Sequence, residues 1–478
     1  MEKQYLVWFG RSNSYFNLRF LELESLARMY GCSDPGAIYV GDRPTPKDTE
    51  PFAIVRFPNE EIAHRICERS VLTKFIVEVW GSGASDEEVM DRVRSCLPDN
   101  DWVNQFADRT FSYKVVPYGT NISDTERRQR MSAFSNLFRG TEKVDVKNPD
   151  ITLYIVDEHE GMFGQTGTRN ELIAAPRKRT FYGRLVAEST NEFRRRYALP
   201  DRPILGPTSL DNDLAFLMAN VAEIKNGTLV LDPFCGTGGL LIAASACSQT
   251  PPIGSDIDMR VLKGECVAYV KNHIPNVSET RKDIYQNFDY YEMSRPEIIA
   301  NDNSNLSWRT NRQFVDVILT DPPYGVRAGA KKIGMKYDHE VGERGTYHPQ
   351  MLGYNPSEVN DDLVSLSIKL LVDDGVVVFL QHVELMDLFT QEELDCLPRD
   401  LENSGGCTKI LEQRGSKRIY VYANECARDP QFLDEKTIIE RVVPQHPHMR
   451  IEGAALQILA AGTGRLLVKM RRERRSEI

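Results

Sequence analysis

Several things are missing from this 478-residue chain. No apolar run approaches the length of a bilayer span, so no membrane-crossing helix is expected. The opening Met1-Glu2-Lys3-Gln4-Tyr5 has no apolar core behind a basic start, so no secretory leader is expected. The nine cysteines are scattered. They form no Cys-x-x-Cys pair and no metal-ligand spacing, which points to reduced thiols in the cytoplasm and to no bound metal. Positive charge is also short. The formal net charge is −10, so any grip on nucleic acid must use local patches. With 41% apolar and 27% charged residues, the rest is ordinary for a globular chain of two or three domains.

Residues 5–80 alternate strand and helix patterns. Tyr5–Phe9, Ala37–Val40, Phe52–Phe57 and Lys74–Trp80 read as strands, with helical spacing around Leu18–Met29 and Ile62–Cys67. The order β-α-β-β-α-β suggests a ferredoxin-like domain over 1–82. A second α+β unit over 83–187 has helices at Asp86–Leu97 and Ser123–Phe138 and strands at Thr110–Val116, Ile151–Val156 and Thr180–Val186. Its basic residues Arg177, Lys178, Arg179 and Arg184 are candidates to grip an RNA backbone, against the plain reading of solvated surface charges. The proline-rich 188–206 reads as a linker.

From 207 to 429 the pattern changes to alternating strands and helices, an α/β doubly wound (Rossmann-like) domain. A helix over Ser209–Ala222 has Thr208 or Ser209 as its expected cap. Thr228-Leu229-Val230-Leu231 leads into Asp232-Pro233-Phe234-Cys235-Gly236-Thr237-Gly238-Gly239 and a helix. This turn is neither a dinucleotide fingerprint nor a P-loop. An acid before the glycines would repel phosphate but suits an amine-bearing or cationic ligand. The next strand ends at Asp256-Ile257-Asp258, where Asp256 is placed to take a ribose diol. A third, Glu297–Ala300, ends at Asn301-Asp302, and Asp302 could accept from an adenine amine. The fourth, Phe314–Leu319, runs into Thr320-Asp321-Pro322-Pro323-Tyr324-Gly325. Two prolines in succession donate no backbone hydrogen bond and force an extended bend. Four strand ends thus place acids and glycines on one sheet edge, the edge where open α/β sheets bind ligands.

After Gly325, about 35 residues rich in glycine and lysine suggest a substrate-side lid. A helix (Asp362–Leu371) and a strand (Val376–Leu380) continue the fold, with Arg418–Tyr422 as its expected final antiparallel strand. Residues 430–478 read as an extension with a basic tail, Lys469–Arg475.

The set Phe181-Tyr182-Gly183-Arg184, Gly206–Leu210, Met218-Ala219-Asn220, Asp232–Leu241, Asp256-Ile257-Asp258, Ser307-Trp308-Arg309 and Thr320–Arg327 resembles the tRNA guanosine-10 N2-methyltransferases. These are class I S-adenosylmethionine-dependent enzymes. The resemblance covers residues 1–425 or so. It implies a THUMP RNA-binding region before the catalytic domain, tRNA as substrate and a small zinc-binding activator subunit forming a heterodimer. It further implies a cofactor site of Thr208, Asp232, Phe234, Gly236, Gly238, Asp256, Ile257 and Asp302. Asp321, Pro322, Pro323 and Tyr324 would be catalytic, with Arg327 on the RNA. The same Asp-Pro-Pro-Tyr chemistry also serves amino-methylation of adenine N6 or of protein glutamine. A non-catalytic RNA-binding scaffold is the alternative from another class.

Overall fold

The computed structural model describes residues 2–10, 15–44, 50–159, 176–206, 209–265, 269–270, 283–305, 307–324, 331–333, 351–384, 388, 409–413, 416–420, 435–459 and 463–474. The chain divides into two compact units. The first comprises Met1–Arg11 and Tyr30–Thr190, and the second Ser12–Met29 and Asn191–Ile478.

The first unit is built on one seven-stranded sheet. Its strand order is Phe52–Val55, Gln4–Phe9, Thr73–Gly83, Arg177–Glu188, Ile151–His159, Thr110–Tyr118 and Lys143–Val144. Strands from both halves of the expected two-domain front end therefore share one ladder, joined where Thr73–Gly83 pairs antiparallel with Arg177–Glu188. Gly183 makes that pairing possible, since a Cβ there would lie 1.9 Å from the Glu78 carbonyl oxygen. The Ser85 hydroxyl caps the helix Asp86–Cys96 by accepting from the Glu88 amide at 3.2 Å. Ser123 and Glu126 form a reciprocal capping box on Asp124–Ala133.

Two readings of this region need correction. Ala37–Val40 makes only an isolated bridge, Tyr39 to Val55. The helix Arg19–Met29 belongs to the second unit and not with the strands it was read among. That helix buries Phe20, Leu23 and Leu26 and also Glu22 and Ser25. It packs on the helix Asn212–Val221 and the strand Met449–Ile458. Its polar residues are matched: Asn220 Nδ2 donates to Glu22 at 2.7 Å, and Lys469 Nζ donates to Ser25 Oγ at 3.1 Å.

The second unit has its own seven-stranded sheet, ordered Glu297–Ala300, Ile253–Asp256, Val230–Asp232, Val315–Thr320, Leu371–Glu384, Thr463–Arg472 and Met449–Ile458. The first five strands run parallel, and Thr463–Arg472 runs antiparallel to both its neighbours. The parallel strands read as continuous β-branched and aliphatic runs because helices cover them. Leu231, Ile318, Leu366, Leu370, Val377, Phe379, Leu466 and Val468 form the shared core. The helix Pro356–Leu370 starts earlier than expected, with Asn355 as cap and Pro356 in its first turn.

The final antiparallel strand is not the expected one. Ser416–Tyr420 pairs with Lys409–Gln413 in a separate two-stranded ladder. The main sheet is instead completed by Met449–Ile458 and Thr463–Arg472, inside the stretch read as a tail. Their apolar residues explain the outcome: Leu466, Leu467, Val468 and Met470 are all buried within the basic-looking sequence. Lys469 and Arg471 are held by Glu223 and Glu452 rather than by solvent. No described helix is long and apolar enough to cross a membrane.

Candidate active site

The carboxyl ends of four adjacent parallel strands lie side by side. Asp232 ends the central strand, and its neighbours end at Asp256 and Thr320. Asp256 pairs in register with Ala300, placing Asn301 and Asp302 just beyond on the outer strand.

Between Asp232 and the helix Gly239–Ser248 the chain turns through two left-handed glycines, Gly236 (φ +50°) and Gly238 (φ +82°). A side chain at Gly238 would meet Ile284 at 2.8 Å, whereas nothing lies within 4 Å of the Cβ position at Gly236. That open space beside the backbone is what a closely approaching ligand requires. Asp256 accepts from the Gly236 amide and from the Asp258 amide, each at 2.9 Å. Asp258 turns away to cap the helix Met259–Leu262 and hold Arg260. Ile257, between the two acids, is half-buried.

Asp232 is buried at 2% exposure, and burial pushes its carboxyl up to about 7. The Thr320 hydroxyl at 2.6 Å and the Phe234 amide at 3.1 Å pull the other way. Burial also raises Asp256 and pushes the Cys235 thiol well up. The Phe234 side chain packs against Tyr354 and Val359. Asp302 accepts from the Ser304 amide and hydroxyl and, at 2.7 Å, from the Ile333 amide. Ile333 belongs to Lys331–Ile333, which pairs antiparallel with Met351–Gly353. This ladder is the described part of the expected lid; 325–330 and 334–350 lie outside the described residues.

Asp321 follows Thr320 directly. Burial raises its carboxyl to about 7, opposed by the positive charge of Arg465. Pro322 is buried, and Pro323 and Tyr324 are half-buried. The Tyr324 hydroxyl donates to Asp321, and its ring stacks on His382 at 5.5 Å between centroids and 28° between planes. Tyr324 thus covers Asp321 and leans on the neighbouring strand.

The basic candidates fare differently. Arg184 reaches both Glu60 and Glu78, so its fork is filled within the first unit. Arg177 pairs with Asp86 at 2.9 Å, and Lys178 and Arg179 share Glu158. These partners neutralise the cluster that the sequence suggested as a phosphate grip, although the Lys178 and Arg179 side chains stay 55% and 41% exposed. Thr208 and Arg327 lie outside the described residues. The helix after Thr208 starts later than expected, at Asn212, with Asp211 as its cap accepting from Leu214. Among the described residues no group of acids, cysteines and histidines is arranged to hold a metal.

Sequence reasoning missed Thr320, Asn303, His382 and Arg465. Asn303 Nδ2 donates to the Pro233 carbonyl at 2.6 Å and so ties the third strand end to the glycine turn. Thr320 carried a signal, a hydroxyl closing an otherwise aliphatic strand. His382 and Arg465 carried none, because only strand pairing brings them to the site.

Comparison with known proteins agrees with this geometry. Residues 3–191 match the family described as Tmrp11 THUMP N-terminal domain, and residues 200–345 match the RMKL-like methyltransferase domain. The tRNA (guanine(10)-N(2))-methyltransferase of Saccharomyces cerevisiae is 30% identical over 88% of this chain and 93% of its own length. The mouse protein of that name is 31% identical over 77% and 78%. The Dictyostelium discoideum one is 28% identical over 94% and 88%. A class I methyltransferase sheet, a THUMP-like front end and end-to-end likeness to these proteins place the chain in the tRNA (guanine(10)-N(2))-methyltransferase family.

Proposed function

We propose that this chain methylates the exocyclic N2 of guanosine 10 in tRNA, using S-adenosyl-L-methionine. The observation that carries this reading is the convergence of Asp232, Asp256, Asp302 and Asp321 on one sheet edge, with Asp-Pro-Pro-Tyr closing the fourth strand. The activity for which the yeast and mouse relatives are named supplies the choice of guanosine and of tRNA.

The residues present fit the cofactor. The glycine turn leaves open space at Gly236. Asp256 and Ile257 would hold its ribose and adenine, Asp302 the adenine amine, and Asp232 with Phe234 the amino-acid end. When bound, it supplies a methyl group on a sulfonium, already a good leaving group.

Everything else falls to the protein. The guanine N2 lone pair is conjugated with the ring and is a poor nucleophile. The Asp321 carboxylate and the Pro322 carbonyl accept its two hydrogens, favouring pyramidal nitrogen and fixing its direction. Such orientation is worth several kcal/mol, up to roughly 7–11 in ideal cases. A carboxyl near 7 accepts a proton readily at neutral pH, so Asp321 can take the one that N2 loses after transfer. N2 of a paired guanosine cannot enter this pocket, so the base is flipped out. Tyr324 then leaves Asp321 and stacks on the base.

Lys178 and Arg179, still half-exposed, are the first-unit side chains best placed to meet RNA. The Glu297–Ala300 strand lies at the sheet edge with Ile299 40% exposed. It suits strand addition by the small zinc-binding activator implied for this family.

The test is methylation of bulk tRNA by wild-type chain co-expressed with the activator, followed by nucleoside analysis. N2-methylguanosine at position 10, absent with Asp321→Ala, is the expected result. N6-methyladenosine without N2-methylguanosine overturns the reading.

A further inference from the structure

One row of polar side chains beside Asp321 is unaccounted for. His382, Arg465 and Gln457 occupy directly paired positions on three neighbouring strands, Leu371–Glu384, Thr463–Arg472 and Met449–Ile458. Directly opposed residues of antiparallel strands share a face. Each carries a buried polar atom without a hydrogen-bond partner: His382 Nε2, Arg465 Nε and Gln457 Oε1. Other buried polar atoms of the described residues also lack a partner, and His382 Nε2 has the Glu384 carboxylate 3.7 Å away, so what sets these three apart is their shared register beside the acceptor side. The row adjoins the acceptor side, because the His382 ring stacks on Tyr324, whose hydroxyl lies on Asp321.

Arg465 is the telling member. It is half-buried and makes no ion pair or hydrogen bond with any described residue. The arginines first suspected of RNA binding, Arg177, Arg179 and Arg184, are all held by carboxylates. Asp321 feels the charge of Arg465, but among the described residues no carboxylate fills its fork, and a phosphodiester matches that fork in charge and in geometry. We propose that Arg465, beside His382 and Tyr324, receives a backbone phosphate of the nucleotide being methylated. This would make the strand Thr463–Arg472 one wall of the acceptor site, and it rests on the tRNA-methylating function proposed above. The charge of Arg465 also opposes the rise of Asp321, as expected of neighbours.

The test compares full-length wild type, Arg465→Gln and Arg465→Met, each with the activator, in tRNA methylation over roughly 50–200 mM salt. Cofactor affinity is measured in parallel by calorimetry. Loss of the phosphate contact raises the KM for tRNA about tenfold and lowers the slope of log affinity against log salt by about one. Cofactor affinity stays within about twofold of wild type, and the KM effect persists well above pH 7, where Asp321 is ionised with or without the charge of Arg465. An unchanged KM and slope overturn the proposal. So does a loss of kcat at constant KM, which would assign Arg465 to Asp321 instead. Loss of cofactor binding in both variants makes Arg465 a folding residue and also overturns it. If wild type forms no N2-methylguanosine, the functional reading fails first, separately from any effect of Arg465.

Discussion

The Thr320 hydroxyl donates to the Asp232 carboxylate at 2.6 Å, with both side chains buried. One bond thus joins the strand that presents Asp321 to the strand that presents the glycine turn. A single side chain sets the spacing between the two strand ends.

Thr320→Val keeps the shape and removes the donor. Asp232 then loses an interaction that holds its carboxyl down, so it is protonated over more of the neutral range. A lost hydrogen bond to a buried group costs about 1–3 kcal/mol. The expected outcome is cofactor binding about tenfold weaker at pH 7, recovering in part at pH 8.5. Calorimetry at the two pH values checks it; equal affinity for wild type and variant would remove the coupling.

Asp321 and Asp232 are both raised from 3.8 to about 7. As acceptors they act ionised, so kcat should rise with pH through about 7 and level above it. The stability effect has the opposite sign. In the pH range between 3.8 and about 7 the folded state holds protons that the unfolded chain has released, so stability falls as pH rises. Asp321→Asn abolishes that loss. Its melting temperature should match wild type near pH 4 and exceed it by several degrees at pH 8, with methylation lost by a factor of about 100 or more.

Arg184→Ala should behave as a stability variant. The side chain bridges Glu60 and Glu78 in a partly buried network, and removing it leaves the two acids to the half-exposed Lys3. A cost of about 3–5 kcal/mol in denaturant unfolding of the first unit is expected. The salt dependence of tRNA binding should stay as in wild type, and a reduced slope would return Arg184 to the RNA surface.

Lys469→Met tests the strand read as a tail. Lys469 is 2% exposed and contacts Glu223, Glu452 and Ser25. Burial acts to raise Glu452, but Arg471, Lys469 and Arg28 outweigh it and hold the carboxyl down at about 2, from 4.5. Its contribution is complete above pH 4.5 and is lost as pH falls through about 2. The variant should lose about 3–5 kcal/mol at pH 7, and the gap to wild type should narrow in acid. Denaturant titrations at pH 7 and pH 3 measure both.

What the sequence made legible were features written in consecutive residues. The aliphatic run Val315–Thr320, the glycine turn after Asp232 and the Ser123 cap lie where local pattern puts them. What it hid depends on strand partners far apart in the chain. Arg177, Lys178 and Arg179 read as a free basic patch because their acids, Asp86 and Glu158, lie elsewhere in the sequence. Lys469–Arg475 read as a tail because charge dominates its composition, while the burial of Leu466, Leu467, Val468 and Met470 in the sheet decides its fate. Arg19–Met29 gave a helix correctly, but nothing in its own residues says which unit it covers.

That last helix also dictates an order of events. Lys469 and Ser25 are 444 positions apart, and Asn17 Nδ2 donates to the Leu456 carbonyl across 439. During synthesis, which adds roughly 5–20 residues per second, the Arg19–Met29 face emerges long before its partners. Its leucines and Glu22 must wait through the translation of nearly everything else. The first unit draws its residues from the first 190 and is synthesised whole long before residue 449. The second unit is therefore the last to be completed, and a chain cut short before residue 449 lacks both strands that finish its sheet.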